Sequence, residues 1–565
     1  VDYIVENTVG KLLEGKTPTS ASKLKIVDPA CGSGTFLLGA FQHLIDWHLS
    51  WYVADGTSKW AKKKVIFEGR DGWQLTLDEK KRILTNNLFG VDIDAQAVEV
   101  TKLSLLLKVI EKPGQLDLLA QRILPDLSAN IKCGNSLIGS DYYDDKQMPL
   151  LPDEEFWRVN AFDWQKAFKD IFTGGGFDAV IGNPPYIRIQ AMKAWAPDEV
   201  EFYKSKYLSA KKGNYDIYVV FVEKALKLLN TKGLLGFILP HKFFNAKYGA
   251  GVRKILSDGK HLSKIVHFSD QQVFANATTY TCLLFLNQST QKEFEFEKVD
   301  DLAVWQLTAM EQNPVAQNPE FFKNSGFSES GTLTAEKATE DEWNFVVGKG
   351  GVLFESLSQF STKLENVAAR IFQGIKTSAD KIYIVEKIEE TADKVKVFSK
   401  EKNVSFWMEK SLLHPLVKGG NSKRYNLTDT KRLLLFPYQK NKKDNGYHLI
   451  LDTEFEEKYP LIWKYLLDNK TYLENRERGR MKGKHWYAYI YPKNFNVMPL
   501  PKIFVPDIAP KSSFSLDKTG EYYFTGGAAG GYGILIAENY SREYVLGLLN
   551  SKLLEWYLQQ FSTSM

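Results

Sequence analysis

Residues 1–290 predict an α/β, Rossmann-like fold with a mostly parallel sheet of seven strands. Three observations carry that prediction. First, Leu24-Lys25-Ile26-Val27 reads as a strand running through Asp28-Pro29-Ala30-Cys31-Gly32-Ser33-Gly34 into a helix with Phe36, Leu37, Ala40, Phe41, Leu44 and Ile45 on one side. Strand, Gly-rich turn and helix open a doubly wound nucleotide fold. Second, the strand at 88–91 closes on Asp92, an acid where such folds hold ribose hydroxyls. Third, a strand end with polar groups falls at 130–137, and further strands are read at 177–181, 234–240, 264–268 and 281–286. The last two are joined by a loop alone and predict an antiparallel pair, so the sheet should end in one reversed strand.

Taken in order, residues 1–13 show helical spacing of Tyr3, Ile4, Val9, Leu12 and Leu13. Gly32 and Gly34 let a backbone approach a ligand closely, and the helix after them offers free N–H groups. The gap from Gly34 to Asp92 exceeds the usual ~20 residues, and the excess falls in a polar, Lys-rich insert at 51–82. Asp94 suits the N-cap of a helix over 95–108. Phe177 to Ile181 is a short apolar strand after the turn glycines 174–176, and it ends in Asn183-Pro184-Pro185-Tyr186. Two prolines with fixed φ and no N–H make that loop stiff. Asn183 adds an amide, and Tyr186 a flat ring. A stiff pair of acceptors beside a ring suits a planar amine that must be gripped, although a proline-rich turn after a core strand is the commoner fate of Pro-Pro.

Composition narrows the class. A chain of 565 residues predicts two to four domains. Apolar content of 44% with 25% charged residues is that of a soluble globular protein. A net charge of +5 spreads no global basic field, so any nucleic-acid surface must be local. Cys31, Cys133 and Cys282 lie far apart, which argues against a disulfide framework or zinc knuckle and for a reducing cytoplasm. No long charge-free apolar run predicts membrane insertion. A start at Val1 and a stop just past the helical pattern 544–557 read as cuts in a longer protein.

In this order, DPACGSGTF, GVDID, CGNSL and FDAVIGNPPY resemble an S-adenosyl-L-methionine-dependent adenine-N6 DNA methyltransferase of the gamma class. The likeness is to the Eco57I/TaqI-type methylase of single-chain restriction–modification and phage-defence enzymes. It implies a class I methyltransferase domain over 1–290, a connector over 291–345 and a mixed α+β target recognition domain over 346–565. It implies that Asp28, Ala30, Gly32 and Gly34 line the cofactor's methionine end, with Cys31 among them. Asp92, with Ile93 beside it, matches the acid on the ribose. Asn135, followed by Ser136, stands where the family often has an aspartate on the adenine amine. It further implies that Asn183 Oδ1 and the Pro184 carbonyl accept the two N6–H groups of a flipped adenine, with Pro185 keeping the loop rigid. Tyr186 and Phe274, in Val273-Phe274-Ala275-Asn276, match the stacking positions for that base. No metal is implied. The family often carries a nuclease, sometimes with a helicase, upstream.

Double-stranded DNA is the expected partner. The most DNA-like stretch is Arg476, Arg478, Arg480, Lys482, Lys484, His485, Trp486 and Tyr487, cations beside aromatics. A weaker stretch is 418–425, and residues 187–213 mix aromatics and lysines in a way that suits ordering over DNA. Residues 291–345 read as a connector whose helices pack between domains, with turns at Asn313-Pro314 and Asn318-Pro319. The Gly-rich run 525–531 lacks G-K-[ST] and reads as a tight turn or a DNA-side loop. Competing readings are a glutamine-N5 protein methyltransferase, an RNA adenine methyltransferase and a catalytically silent DNA-binding defence subunit. Asn rather than Ser at 183 favours adenine over cytosine.

Overall fold

A computed structural model describes residues 1–111, 124–144, 157–274, 279–309, 328–483, 485–527 and 529–560. Lys484, Ala528, Ala275-Asn276 and the turns at Asn313-Pro314 and Asn318-Pro319 lie outside the described residues. The chain divides into two compact units, Val1–Val352 and Leu353–Ser562.

The first unit is built on one sheet. Its strands are β1 (Ile26–Asp28), β2 (Leu88–Asp92), β3 (Ile131–Cys133), β4 (Phe177–Gly182), β5 (Leu229–Pro240), β6 (Leu262–His267), β7 (Thr281–Asn287), β8 (Glu293–Val299) and β9 (Ser328–Thr334). They lie in the order β9-β8-β6-β7-β5-β4-β1-β2-β3. All seven expected strands are present, but among the described residues the sheet has nine. Strand β1 sits between β4 and β2 with parallel pairing to both. The reversed strand β7 lies between β5 and β6 rather than at an edge.

The two added strands correct the expectation for 291–345. Strand β8 pairs parallel with β6 and antiparallel with β9, so this segment extends the sheet instead of bridging domains with helices alone. The cause is legible afterwards: Glu293-Phe294-Glu295-Phe296-Glu297 alternates with period two, and Phe294 and Phe296 are buried. The helix Leu302–Ala309 follows.

Alternation also organises the interior. Val27 and Val180 join the core on one face, while Ile26, Ala179 and Ile181 join the core on the other. Helix α1 (Thr35–Ala54) buries Phe36, Leu37, Ala40, Phe41 and Leu44 against that second face, each large side chain contributing ~2 kcal/mol of transfer free energy. Gly34, with φ +86°, is its N-cap, and a Cβ there would meet Thr101 Cγ2 at 2.9 Å. The Lys-rich insert is ordered as the end of α1, the helix Thr57–Lys62, a hairpin (Ile66–Gly69 with Gly72–Leu75) and the helix Leu77–Asn87. Asp94 caps α2 (Ala95–Ile110), its Oδ1 accepting from the Gln96 N–H at 2.8 Å.

The second unit is built on two larger sheets, the first antiparallel throughout and the second mixed. Ala368–Gln373, Gly531–Ile536, Lys502–Pro506 and Ser515–Asp517 form a four-stranded sheet, and a six-stranded one runs from Val404–Glu409 to Tyr523–Phe524. The Gly-rich run is a tight turn: the Gly531 N–H bonds the Thr525 carbonyl, and a Cβ on Gly530 would lie 1.8 Å from that oxygen.

Candidate active site

Strands β1, β2, β3 and β4 are parallel and end on the same side of the sheet, which is where open α/β sheets place their ligands. Two cavities open there. The larger, about 600 Å³, is lined by Asp28, Ala30, Cys31, Gly32, Asn183 and Phe274, with Tyr3, Phe268 and Trp305 as apolar wall. The smaller, about 290 Å³, is lined by Asp92, Ile93, Asn135, Ser136, Asn183 and Pro185, together with Trp195, Glu199 and Tyr203. Ala30 and Asn183 line both.

The Gly-rich turn is wired to the second strand. Asp92 Oδ2 accepts from the Gly32 N–H at 2.8 Å, and Oδ1 from the Asp94 N–H at 3.0 Å. Thr101 Oγ1 donates to the Gly32 carbonyl at 2.7 Å. Ser136 Oγ donates to the Pro29 carbonyl, tying β3 to the same turn. A Cβ on Gly32, where φ is +51°, would meet nothing within 4 Å, so the backbone there is open to a ligand.

Asp28 is buried beneath this turn and accepts from the Ala30 N–H at 3.0 Å. Burial pushes its carboxyl up to about 8; the Ala30 N–H opposes the rise and the nearby Asp92 charge adds to it. The folded chain therefore binds this proton more tightly than the unfolded chain does. The stability this contributes is complete below the ordinary carboxylate range and is lost as pH rises through about 8. In urea titrations, the wild type should lose ~3 kcal/mol more stability than Asp28→Asn between pH 6 and pH 9. Equal losses in both proteins would refute the assignment.

The catalytic-loop candidate leaves β4 at Gly182. A Cβ there would meet Asp28 Oδ1 at 2.6 Å, and both groups are buried. Gly182→Ala should therefore cost ~1–3 kcal/mol and push Asn183 out of register, which denaturation and cofactor titration would detect together. Asn183 itself is exposed, while Pro184 is buried. The Tyr186 hydroxyl donates to Asn183 Oδ1 at 2.6 Å and lies 3.2 Å from the Ile238 carbonyl. Tyr186 packs edge-on against Tyr218, and the linings of the two cavities include Phe274 but not Tyr186.

Several lining residues had no local signal in the sequence. Trp305 comes from the segment expected as a connector, and Arg158 follows a stretch outside the described residues. Residues 187–213 supply Met192, Trp195, Glu199 and Tyr203 to the smaller cavity.

The second unit corrects its DNA candidate. Arg476 is buried and donates to the carbonyls of Leu473, Thr377, Trp486 and Ala488. Trp486 and Tyr487 are buried too, Trp486 against Trp463 and the Tyr487 hydroxyl on the Ile450 carbonyl. Arg478, Arg480 and Lys482 are exposed, and Arg480 is paired with Glu477 at 3.3 Å. The weaker stretch fares differently. Lys423 and Arg424 line a concave surface of about 650 Å³ with Lys511 and Lys552, and Arg424 is paired with Glu555.

Comparison with known proteins agrees with this architecture. The Eco57I restriction-modification methylase model matches residues 86–274, and the TaqI-like C-terminal specificity domain model matches residues 414–565. The type II restriction enzyme and methyltransferase RM.Eco57I of Escherichia coli is 31% identical over 99% of this chain and 53% of that protein. The type II methyltransferase M.BanIII of Aneurinibacillus aneurinilyticus is 23% identical over 61% of this chain and 58% of that protein. The chain thus spans little more than half the length of either relative. Among solved structures, the type IIL restriction-modification enzyme MmeI in complex with DNA matches with a TM-score of 0.52 at 14% identity, over 97% of this chain and 60% of that one, a likeness of fold.

Proposed function

From the premise that the chain carries an Eco57I-type restriction–modification methylase followed by a TaqI-like specificity domain, we propose that it methylates adenine N6 in double-stranded DNA, using S-adenosyl-L-methionine on a base flipped out of the helix. The observation that carries this reading is the position of Asn183, which lines both cavities at the end of β4. The residues present suit the cofactor. An acid and an apolar plate, Asp92 and Ile93, border the smaller cavity, and the open turn at Gly32 borders the larger.

Bound S-adenosyl-L-methionine would supply an electrophilic methyl group held on a sulfonium. The protein's part is to make N6 nucleophilic. The N6 lone pair is delocalised into the ring, and two acceptors, Asn183 Oδ1 and the Pro184 carbonyl, would draw its hydrogens out of the ring plane. This is positioning and preorganised electrostatics. An amide oxygen has two lone pairs, so Tyr186 can hold Asn183 Oδ1 through one while the other meets the base. Phe274, 36% exposed at the cavity wall, offers a face to the extruded ring. Transfer would form the N6–methyl bond as the sulfur–methyl bond breaks, its electron pair staying on sulfur as a neutral thioether; N6 would then lose one proton to solvent, and neutral N6-methyladenine would leave.

In the second unit, Lys423, Lys511 and Lys552 are the proposed phosphate contacts, in place of Arg476 and Trp486. The relative RM.Eco57I is named as both restriction enzyme and methyltransferase; in this chain we place the modification and specificity roles. Incubation with methyl-labelled S-adenosyl-L-methionine and unmethylated bacterial DNA, followed by mass spectrometry of the nucleosides, tests the reading. Labelled N6-methyladenine is expected. Label in N4-methylcytosine, RNA or protein would overturn it.

A further inference from the structure

Phe274 stands on a loop and not on a strand. Residues 268–274 follow β6 and supply Phe268, Val273 and Phe274 to the larger cavity. A ring carried by a loop meets a ligand with a fixed face only where the loop is held from outside. The bonds within this loop are local. The Gln271 N–H bonds the Phe268 carbonyl at 2.9 Å, and the Ser269 N–H bonds His267 Nδ1 at 3.1 Å. Ser269 itself has φ +52°, in the left-handed region that most side chains disfavour.

The Gln271 side chain reaches outward. Its Nε2 donates to the Val299 carbonyl at 2.8 Å, and its Oε1 accepts from the Leu302 N–H at 2.5 Å. Val299 is the last residue of β8, and Leu302 is the first of α3 (Leu302–Ala309). One carboxamide thus spans the break between a strand and a helix. Exchanging its oxygen and nitrogen would set donor against donor and acceptor against acceptor, so the two partners fix its orientation. The Leu302 N–H, at a helix start, has no acceptor within its own helix, and Gln271 supplies one.

The element at the other end of this tie is itself held. Leu302, Trp305 and Gln306 of α3 line the larger cavity beside Phe274. Trp305 Nε1 donates to Glu297 Oε1 of β8 at 2.8 Å, and its ring packs edge-on against Phe268 and against Tyr3 at 4.9 Å. Val273 and Leu302 pack against the same core. The loop is therefore fastened to a fixed wall through one side chain whose two polar ends are both engaged.

We propose that Gln271 is the positioning residue for Phe274, tying its loop to the start of α3 so that the ring is held where an extruded base stacks. This rests on the reading that Phe274 meets that base. It gives β8 and α3, which lie beyond the seven expected strands, a part in capturing the target.

The test is a double-variant cycle on the full chain. Single-turnover transfer from methyl-labelled S-adenosyl-L-methionine to unmethylated bacterial DNA, both saturating, is timed by rapid quench for the wild type, Gln271→Ala, Phe274→Ala and the double variant. Phe274→Ala should slow transfer by about ten- to a hundredfold, the worth of one base–aromatic stack. Gln271→Ala should slow it by about tenfold, the worth of one or two hydrogen bonds. The double variant should be no slower than Phe274→Ala, because a tether has no effect once its ring is gone. Losses that multiply would place the effect of Gln271 elsewhere in the fold and overturn the proposal. Wild-type transfer by Gln271→Ala would do the same. Should Gln271→Ala fail to fold, Gln271→Met, which keeps the side-chain length and removes both polar ends, should show the same dependence on Phe274. Failure of both to fold would make Gln271 part of the scaffold and overturn the proposal. Wild-type transfer by Phe274→Ala overturns the stacking reading, and the proposal with it, while methylation stands. A wild type that yields no labelled N6-methyladenine overturns the methylation reading itself, and the proposal falls with it.

Discussion

Asn183→Ala is expected to lower single-turnover methyl transfer by about a hundredfold to a thousandfold while leaving cofactor affinity within a few-fold of wild type. Removing one preorganised group from a site of developing charge costs on the order of 10²–10³ in rate. Here the amide is proposed to act on the nucleophile alone. The loop should keep its shape, since Pro184 is buried and Pro185 has a fixed φ. Tyr186 loses one acceptor but keeps the Ile238 carbonyl within reach at 3.2 Å. Rapid-quench measurement of methylated DNA, paired with calorimetric titration of the cofactor, separates the two effects. Wild-type-like transfer would remove Asn183 from the chemistry. A joint collapse of transfer and cofactor affinity would make it part of the cofactor wall instead.

Arg476→Ala is expected to destabilise the second unit by ~3–5 kcal/mol, because it strands several carbonyls that one guanidinium now satisfies. The guanidinium joins the nearby carbonyls of Leu473, Trp486 and Ala488 to that of Thr377, which lies 99 residues away in sequence. Its loss should therefore loosen the packing of Trp486 on Trp463. Arg478→Ala, at an exposed residue two positions away, should stay within ~0.5 kcal/mol. Urea unfolding of the full chain, followed by tryptophan fluorescence, reads both. If the two variants unfold alike, Arg476 is not the staple its hydrogen bonds describe.

These two residues mark where the sequence was informative and where it was not. The strand at 177–182 and the loop after it could be read because an apolar run, three glycines and two prolines are local signals with one physical meaning each. The parallel order of the sheet followed from alternating strand and helix patterns. Arg476 could not be placed, because a cluster of cations and aromatics has the same composition on a wet surface as in a buried network. Only the partners distinguish them, and one of these, Thr377, lies 99 residues away in sequence. Strand β8 is the opposite case: its Glu-Phe alternation was a local signal, passed over because the segment around it is polar. Glu199 was hidden for a third reason. A single acidic residue in a charged stretch looks solvated until Arg158 and Tyr203 are seen around it.

The place of β1 in the sheet has a consequence for how the chain folds as it is made. Its neighbours are β2 and β4, and the backbone of Lys25 bonds Asp178, 153 residues further on. The strand that carries the Gly-rich turn is therefore synthesised early but gains its second partner late, when loop closure is entropically expensive. Until then its hydrogen-bonding edge is open to other chains. Fragments ending before residue 182 should be recovered as aggregate, whereas chains extended past β7 can complete the sheet on both sides of β5. Expression trials that step the C-terminal end through this region would show solubility appearing abruptly rather than by degrees.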